Sequence, residues 1–174
     1  IQPPYSKNFQ YAIGGLRDTM SAATAIFAPN ANSYRRLRPE MFAPVEPNWG
    51  PNHRNVSLRI PVSDEKNLRF EHRVSGADAN PYLVTAAILA GLHYGITNQC
   101  HPGEMVKEGE VISLNQEIPN RWNKAIDAFA SNKVLPSYLG EEFCKTFVAN
   151  RRFEELEFNN KISDIDYNWY LRSV

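Results

Sequence analysis

The opening stretch of the chain has a helical period. Small and apolar residues (Ala12, Ile13, Leu16, Met20, Ala23, Ile26, Phe27) recur every three to four positions, which predicts a helix over Asn8 to Phe27. Gly14-Gly15 interrupts it. A mid-helix glycine costs about 1 kcal/mol against alanine, so a tolerated pair points to close packing against another element. From Ala28 to Asn55 the periodicity vanishes into a Pro- and Asn-rich stretch, anchored by Tyr34, Phe42 and Trp49. Loops of that length inside a compact domain are functional or disordered, and the aromatic anchors argue for order. The period then becomes two. Val56, Leu58, Ile60 and Val62 alternate with polar or proline positions, and Leu68, Phe70, His72 and Val74 alternate with Arg69, Glu71 and Arg73. Two strands joined by a polar turn over Ser63 to Asn67 are expected.

Beyond Asp78 the chain reads as helical. Asn80-Pro81 opens a helix whose body, Leu83 to Ile96, is so apolar that burial on most sides is expected. Asn98 to Asn115 reads as a loop. Pro119 opens a helix through Ser131, Leu139-Gly140 precedes one from Glu141 to about Phe158, and Ser163-Asp164-Ile165-Asp166 caps a short last helix ending near Leu171. The fold class is α+β: a short antiparallel hairpin or sheet with several packed helices. No repeat or low-complexity segment is present.

Composition narrows the function. Nineteen basic and nineteen acidic side chains cancel, so no global field calls for nucleic acid or an anionic membrane. No apolar run approaches the roughly eighteen residues of a membrane span, and no leader pattern is visible. The chain begins at Ile1 in a loop-like Ile1-Gln2-Pro3-Pro4, as a piece of a longer protein would. Cys100 and Cys144 have no metal-ligand spacing and read as two reduced thiols in apolar helical settings, in keeping with a cytoplasmic protein. Charge is uneven, however. Arg35 to Arg73 holds eight Lys/Arg against five Asp/Glu, and Val74 onward holds nine against thirteen. An anion site belongs in the first of these stretches.

The hairpin concentrates that charge. A simple turn over Ser63 to Asn67 sets Arg59 opposite Glu71 and Ser57 opposite Arg73, so Arg59, Arg69, Arg73 and Glu71 share one face while His72 turns to the core. Guanidiniums ~6 Å apart repel by roughly 3 kcal/mol per pair at an effective dielectric near 20, more than one carboxylate offsets. Two readings stay open. The face is solvated, with ion pairs worth under about 1 kcal/mol each, or it awaits a carboxylate or phosphate, which planar arginine forks suit. Glu71 is either a charge balancer or a ligand for a divalent metal at a phosphate site. Glycine-rich phosphate loops, HExxH and nucleophile elbows are absent. His53, in the loop, reads as solvated.

The same residues carry a resemblance. Asn32-Ser33-Tyr34-Arg35-Arg36-Leu37 resembles the Asn-Ser-Tyr-Lys-Arg-Leu signature of glutamine synthetases. Asn55 to Pro61 and Arg69-Phe70-Glu71-His72-Arg73 resemble that family's Arg-Ile-Pro and Arg-x-Glu-x-Arg strands, and Asp78-Ala79-Asn80-Pro81-Tyr82-Leu83 its Asn-Pro-Tyr-Leu helix start. Four ordered motifs within about fifty residues make the match specific. The resemblance implies that residues 1–174 are the C-terminal portion of a glutamine synthetase catalytic domain, lacking the N-terminal domain and the upstream half with its remaining metal-binding glutamates. It implies ATP and Mg (or Mn) as cofactors, and a homo-oligomeric double ring for the whole protein.

Residue by residue, Arg36 resembles the arginine on the glutamate α-carboxylate. Arg54 and Arg73 resemble those on the γ-carboxylate and transferring phosphoryl group. Arg59, Arg69 and Lys66 resemble ATP-phosphate contacts, and Glu71 a metal ligand. The implied reaction forms γ-glutamyl phosphate from glutamate and ATP, then admits an amine. One departure concerns the acceptor. Where the family has Pro-Gly-Tyr-Glu-Ala-Pro, this chain has Pro39-Glu40-Met41-Phe42-Ala43-Pro44, so Phe42 stands at the acid that closes over ammonium. With the run Gly76 to Pro81 and Tyr138 to Cys144, this is closer to γ-glutamylpolyamine (putrescine-type) synthetases. An organic amine acceptor is the expectation, with ammonia, as in a true glutamine synthetase, or a non-catalytic structural role as alternatives. The chain alone is expected to be inactive; with its hairpin cut from neighbouring strands, it is expected to self-associate or to stand as an ordered α+β fragment dominated by helices.

Overall fold

The computed structural model of the protein describes residues 5–39, 41, 43–110 and 115–172. Helix α1 (Lys7–Phe27) is its axis. Ser6 caps it, its hydroxyl accepting from the Phe9 amide at 3.3 Å. Ile13, Leu16, Met20, Ile26 and Phe27 are buried along it. The buried hydroxyls of Thr19 and Thr24 donate to the carbonyls one turn back, at 2.9 Å each. The glycine pair does what its position implied. A Cβ at Gly15 would strike the backbone of Gly91 and Gly95 on α2 (Pro81–Asn98), and one at Gly14 the Cys100 carbonyl. Two helix backbones meet there with no side chain between them.

Helix α2 opens as its sequence predicts, the Asn80 Oδ1 accepting from the amides of Tyr82 (3.0 Å) and Leu83 (3.2 Å), with Pro81 in the first turn. Its burial differs from expectation. Only Ala87, Ala90, Gly91 and Gly95 are fully buried, while Tyr82 (84 % exposed), Leu89 and Ile96 face outward. Small residues draw α1 close on one side; the large ones on the other have no cover among the described residues. Cys100 follows α2 in a loop rather than lying within a helix, and both cysteines are free thiols.

Helix α3 (Trp122–Ser131) starts three residues beyond Pro119 and places Ala125, Ile126 and Phe129 in the core. A short helix, α4 (Leu135–Leu139), is not evident from periodicity. Asn132 Oδ1 accepts from the Val134 and Leu135 amides (3.0 and 2.8 Å) where the chain enters it, and Pro136 sits in its first turn, where proline is tolerated. Gly140, at φ 90°, turns the chain into α5 (Glu141–Asn159), whose Phe147 ring packs 4.9 Å from that of Phe129. Helix α6 (Asp164–Tyr170) has the foreseen acidic cap, the Ser163 amide donating to Asp166 Oδ2 at 2.8 Å, and is exposed along its length. None of the described helices is long and apolar enough to cross a membrane.

The sheet has three strands in the order β1 (Trp49–Pro51), β2 (Leu58–Ile60), β3 (Glu71–His72). The hairpin register is the expected one, Leu58 against His72 and Arg59 against Glu71, with the Arg73 amide on the Ser57 carbonyl at 2.9 Å. Regular pairing is shorter than the alternating sequence. Pro61 has no amide to donate, and Glu65–Asn67 winds into a 3-10 turn capped by Asp64. Strand β1 joins β2 in parallel from inside the Pro/Asn-rich loop. Without alternation it leaves no period-two trace, and Gly50 is required because a Cβ there would meet the Val106 carbonyl.

Candidate functional site

The outer face of β2 and β3 is built around one ion pair. Arg59 Nη1 donates to Glu71 Oε2 at 3.0 Å. Its Nη2 donates to Asn52 Oδ1 at 2.8 Å, and Asn52 Nδ2 donates in turn to Glu108 Oε1 at 2.6 Å. Asn52 occupies the left-handed region (φ 48°), which asparagine tolerates better than most side chains, and so can reach both partners. Arg59 Nε is sealed from solvent with no acceptor.

Arg73 stands beside this pair, its Nη1 3.4 Å from the Val56 carbonyl. Burial lowers its pKa from the ordinary guanidinium value; Arg59 and Arg54 push the same way and Glu71 opposes. Arg54, Arg59, Arg73 and Glu71 therefore form one electrostatic unit carrying three positive charges and one negative. Arg54 itself is exposed on the turn before β2. Arg69 and Lys66 do not join the unit. Arg69 Nη1 turns back to the Asn67 carbonyl at 3.2 Å, and Lys66 is exposed on the 3-10 turn, without an ion pair among the described residues. Phe42 lies outside the described residues. On the inner face, His72 packs its ring 4.5 Å from that of Phe27, and its Nδ1 is sealed and unpartnered. Burial of the ring pushes its pKa down to about 4, so the partly buried imidazole is neutral near pH 7.

A second seat holds Arg36. The 3-10 turn Ser33–Arg36 delivers its Nη2 to the Val74 carbonyl, while its Nε is buried without a partner. Burial lowers its pKa, and Asp78 opposes that. Asp78 ties the turn down, accepting from Ser33 Oγ at 2.5 Å and Asn30 Nδ2 at 3.0 Å. Burial raises the Asp78 pKa, but hydrogen bonds from Ser33, its own amide and Asn30, with the charge of Arg36, outweigh that and hold it below the ordinary carboxylate value. Gly76 makes room, since a Cβ there would run into Asp78 Oδ1 and lie 3.2 Å from Arg36 Nη2. Asn52, Gly76 and Asp78 are supports that the sequence reading did not single out. Asp78 was visible only within the helix-start motif and the run Gly76 to Pro81, and Asn52 only as one of many loop asparagines.

These residues fit an oxyanion substrate. Two arginines, Arg36 and Arg59, each keep a buried Nε without an acceptor, and a carboxylate or phosphate supplies acceptors. Glu71 fits a shared divalent metal in a limited sense. Its Oε2 is committed to Arg59, and no group of three His, Cys, Asp or Glu side chains converges among the described residues. One carboxylate is in keeping with Mg²⁺ held mainly by phosphate oxygens and water.

Comparison with known proteins identifies the family. Residues 2–170 match the family model described as "Glutamine synthetase, catalytic domain". The chain is 42 % identical over 162 residues to the gamma-glutamylputrescine synthetase PuuA of Escherichia coli, covering 93 % of this chain and 34 % of that protein. It is 34 % identical over 157 residues to type-1 glutamine synthetase 2 of Dictyostelium discoideum, covering 85 % and 29 %. A solved structure described as "Apo GmaS without ligand" superposes with a TM-score of 0.81 at 28 % identity, over 96 % of this chain and 39 % of the other. The chain thus spans about a third of the length of the curated relatives it matches.

Proposed function

This chain belongs to the glutamine synthetase family through its catalytic domain, and on that premise we propose that it supplies the C-terminal share of the active site of an ATP-dependent ligase joining glutamate to an organic amine. The observation that carries the reading is the Arg54–Arg59–Arg73 group around Glu71, an excess of positive charge on a sheet face with an unfilled donor at its centre. Phosphoryl transfer depends chiefly on positioning and charge stabilisation, which such a group supplies.

In this reading Arg36 holds the α-carboxylate of glutamate. Arg54 and Arg73 stabilise the γ-carboxylate and the phosphoryl group as ATP transfers it. Arg59, with Arg69 and Lys66, contacts the remaining phosphates, and Glu71 offers one oxygen to Mg or Mn. ATP with the divalent metal supplies the activated phosphoryl group. The amine then attacks the acyl phosphate and phosphate leaves. Support for an organic acceptor is the 42 % identity to a gamma-glutamylputrescine synthetase, against 30–35 % for the glutamine synthetases compared, and Phe42 in place of an acid. Ammonia is the alternative acceptor. Phosphate release by the longer protein, measured with putrescine and with ammonium, decides between them: higher kcat/KM for putrescine is expected, and a preference for ammonium overturns the acceptor assignment.

A further inference from the structure

Arg59 meets Glu71 with one arm only. Its Nη1 reaches Glu71 Oε2 at 3.0 Å, while its Nη2 is drawn off to Asn52 Oδ1 at 2.8 Å. Arginine and a carboxylate commonly close as a fork, two parallel N–H···O bonds that engage both oxygens. Here the fork is split. Glu71 Oε1 accepts no hydrogen bond among the described residues, and the side chain keeps 40 % of its surface open to solvent.

Asn52 is fixed in the place that splits it. Its backbone amide donates to the Ile60 carbonyl at 2.8 Å, holding it at the end of β1. Its side chain is oriented from both ends. Arginine only donates and an ionised glutamate only accepts, so the Asn52 oxygen must face Arg59 and its NH₂ must face Glu108 Oε1, 2.6 Å away. Turning the amide over would set donor against donor and acceptor against acceptor. Glu108 sits in turn on a segment tied to the same stretch of chain. The Val106 amide donates to the Trp49 carbonyl at 2.9 Å, and the Lys107 amide donates to Glu110 Oε2 at 2.8 Å. The Asn55 amide donates to His53 Nδ1 at 3.2 Å, which leaves the ring hydrogen on Nε2 to donate to the Glu110 carbonyl at 3.0 Å.

The geometry points to Asn52 as a positioning residue for Glu71: held by Glu108, it keeps the second arm of Arg59 away and leaves Oε1 uncommitted for a divalent cation. It acts through Arg59 and makes no contact with the metal itself. Without it, Arg59 closes on both oxygens and sets its charge against a cation approaching either. This deepens the reading of Glu71 as a metal ligand and rests on it.

The test is binding of Mn²⁺ alone to the longer protein, with free Mn²⁺ read by electron paramagnetic resonance. Glu71→Gln identifies the step of the isotherm to which Glu71 contributes. Asn52→Gly suits the left-handed backbone and leaves the charge unchanged. It is expected to weaken that step by about threefold or more, since an added hydrogen bond between charged groups competes with the cation. Its crystal structure is expected to show both Glu71 oxygens bonded to Arg59. Asn52→Asp combined with Glu108→Gln keeps the net charge, exchanges donor and acceptor on the Asn52–Glu108 contact and preserves an oxygen for Arg59. Binding in that double variant is expected to return to near the wild-type level. If Glu71→Gln weakens a step and Asn52→Gly leaves it unchanged, the positioning role is overturned and the ligand reading stands. A loss in Asn52→Gly that the double variant does not restore also overturns it, because the effect then belongs to the turn and not to the bond with Arg59. If Glu71→Gln changes no step, the ligand reading of Glu71 falls and this inference falls with it.

Discussion

Arg59 and Glu71 face each other across the β2–β3 ladder and close to 3.0 Å, in the register that the alternating sequence predicts. The pair is partly solvated, with side-chain exposures of 24 % and 40 %. Ion pairs of that kind contribute under about 1 kcal/mol, too little to explain an arginine-rich face by folding alone. Glu71→Gln should therefore lower stability by less than about 1 kcal/mol in urea unfolding. In the longer protein Arg73→Gln should cost on the order of 10³ in kcat, with an equally small change in stability. Loss of activity that only tracks loss of folded protein would remove both residues from the chemistry.

The α1–α2 crossing yields a sharper stability prediction. Gly15→Ala drives a methyl group into the backbone of Gly91 and Gly95, which has no flexible end to yield. Overpacking a close contact costs about 1–3 kcal/mol, and this site should lie at the upper end, read as a fall in the urea midpoint at constant m-value. A change under 0.5 kcal/mol, on that ~1–3 kcal/mol scale, would mean the helices separate freely.

His72 predicts a pH dependence. Its pKa is pushed down to about 4 in the folded protein, against about 6.5 when unfolded. Between those values the unfolded chain binds more protons, so stability rises with pH. The contribution is complete above about pH 6.5 and is lost progressively as pH falls towards 4, by about 2–3 kcal/mol. Urea unfolding at pH 7 and pH 5 should show the wild type losing stability on acidification and His72→Leu losing measurably less. Parallel slopes for the two would contradict a neutral imidazole with a sealed Nδ1.

The parts of this structure that were legible in advance are those where one period dominates. The alternation around Arg59 and Glu71 gave both faces and the register, because slipping by one residue would have put His72 in water and Arg59 in the core. Asn80-Pro81 and Ser163-x-x-Asp166 declared their helix starts through local hydrogen bonds. Strand β1 was hidden because its partner is parallel and its residues, Trp49-Gly50-Pro51, are chosen for contact with Trp49's surroundings and Val106 rather than for alternation. In the site, charge density identified the arginines, yet charge alone could not separate Arg59 and Arg73, which share Glu71, from Arg69, which folds back on its own turn. Supports such as Asn52 and Asp78 act through geometry that no local pattern encodes.

Helix α2 misled for a related reason, and that leads to the last prediction. Its apolar character was read as burial on most sides, yet Tyr82, Leu89 and Ile96 are exposed and spaced seven apart along one face. The end of α5 and all of α6 add Phe153, Leu156, Phe158, Ile165 and Trp169, each more than half exposed. Exposed apolar rows of this kind are candidates for contact sites or for aggregation where they join into a patch. The 174-residue chain on its own should therefore self-associate, its weight-average mass in sedimentation equilibrium rising between about 1 and 100 μM, as association of about −8 kcal/mol would produce. Leu89→Lys should weaken the association if α2 supplies the contact, and Trp169→Ser if α6 does. A chain that stays at 19.8 kDa throughout would show that these faces are tolerated in water.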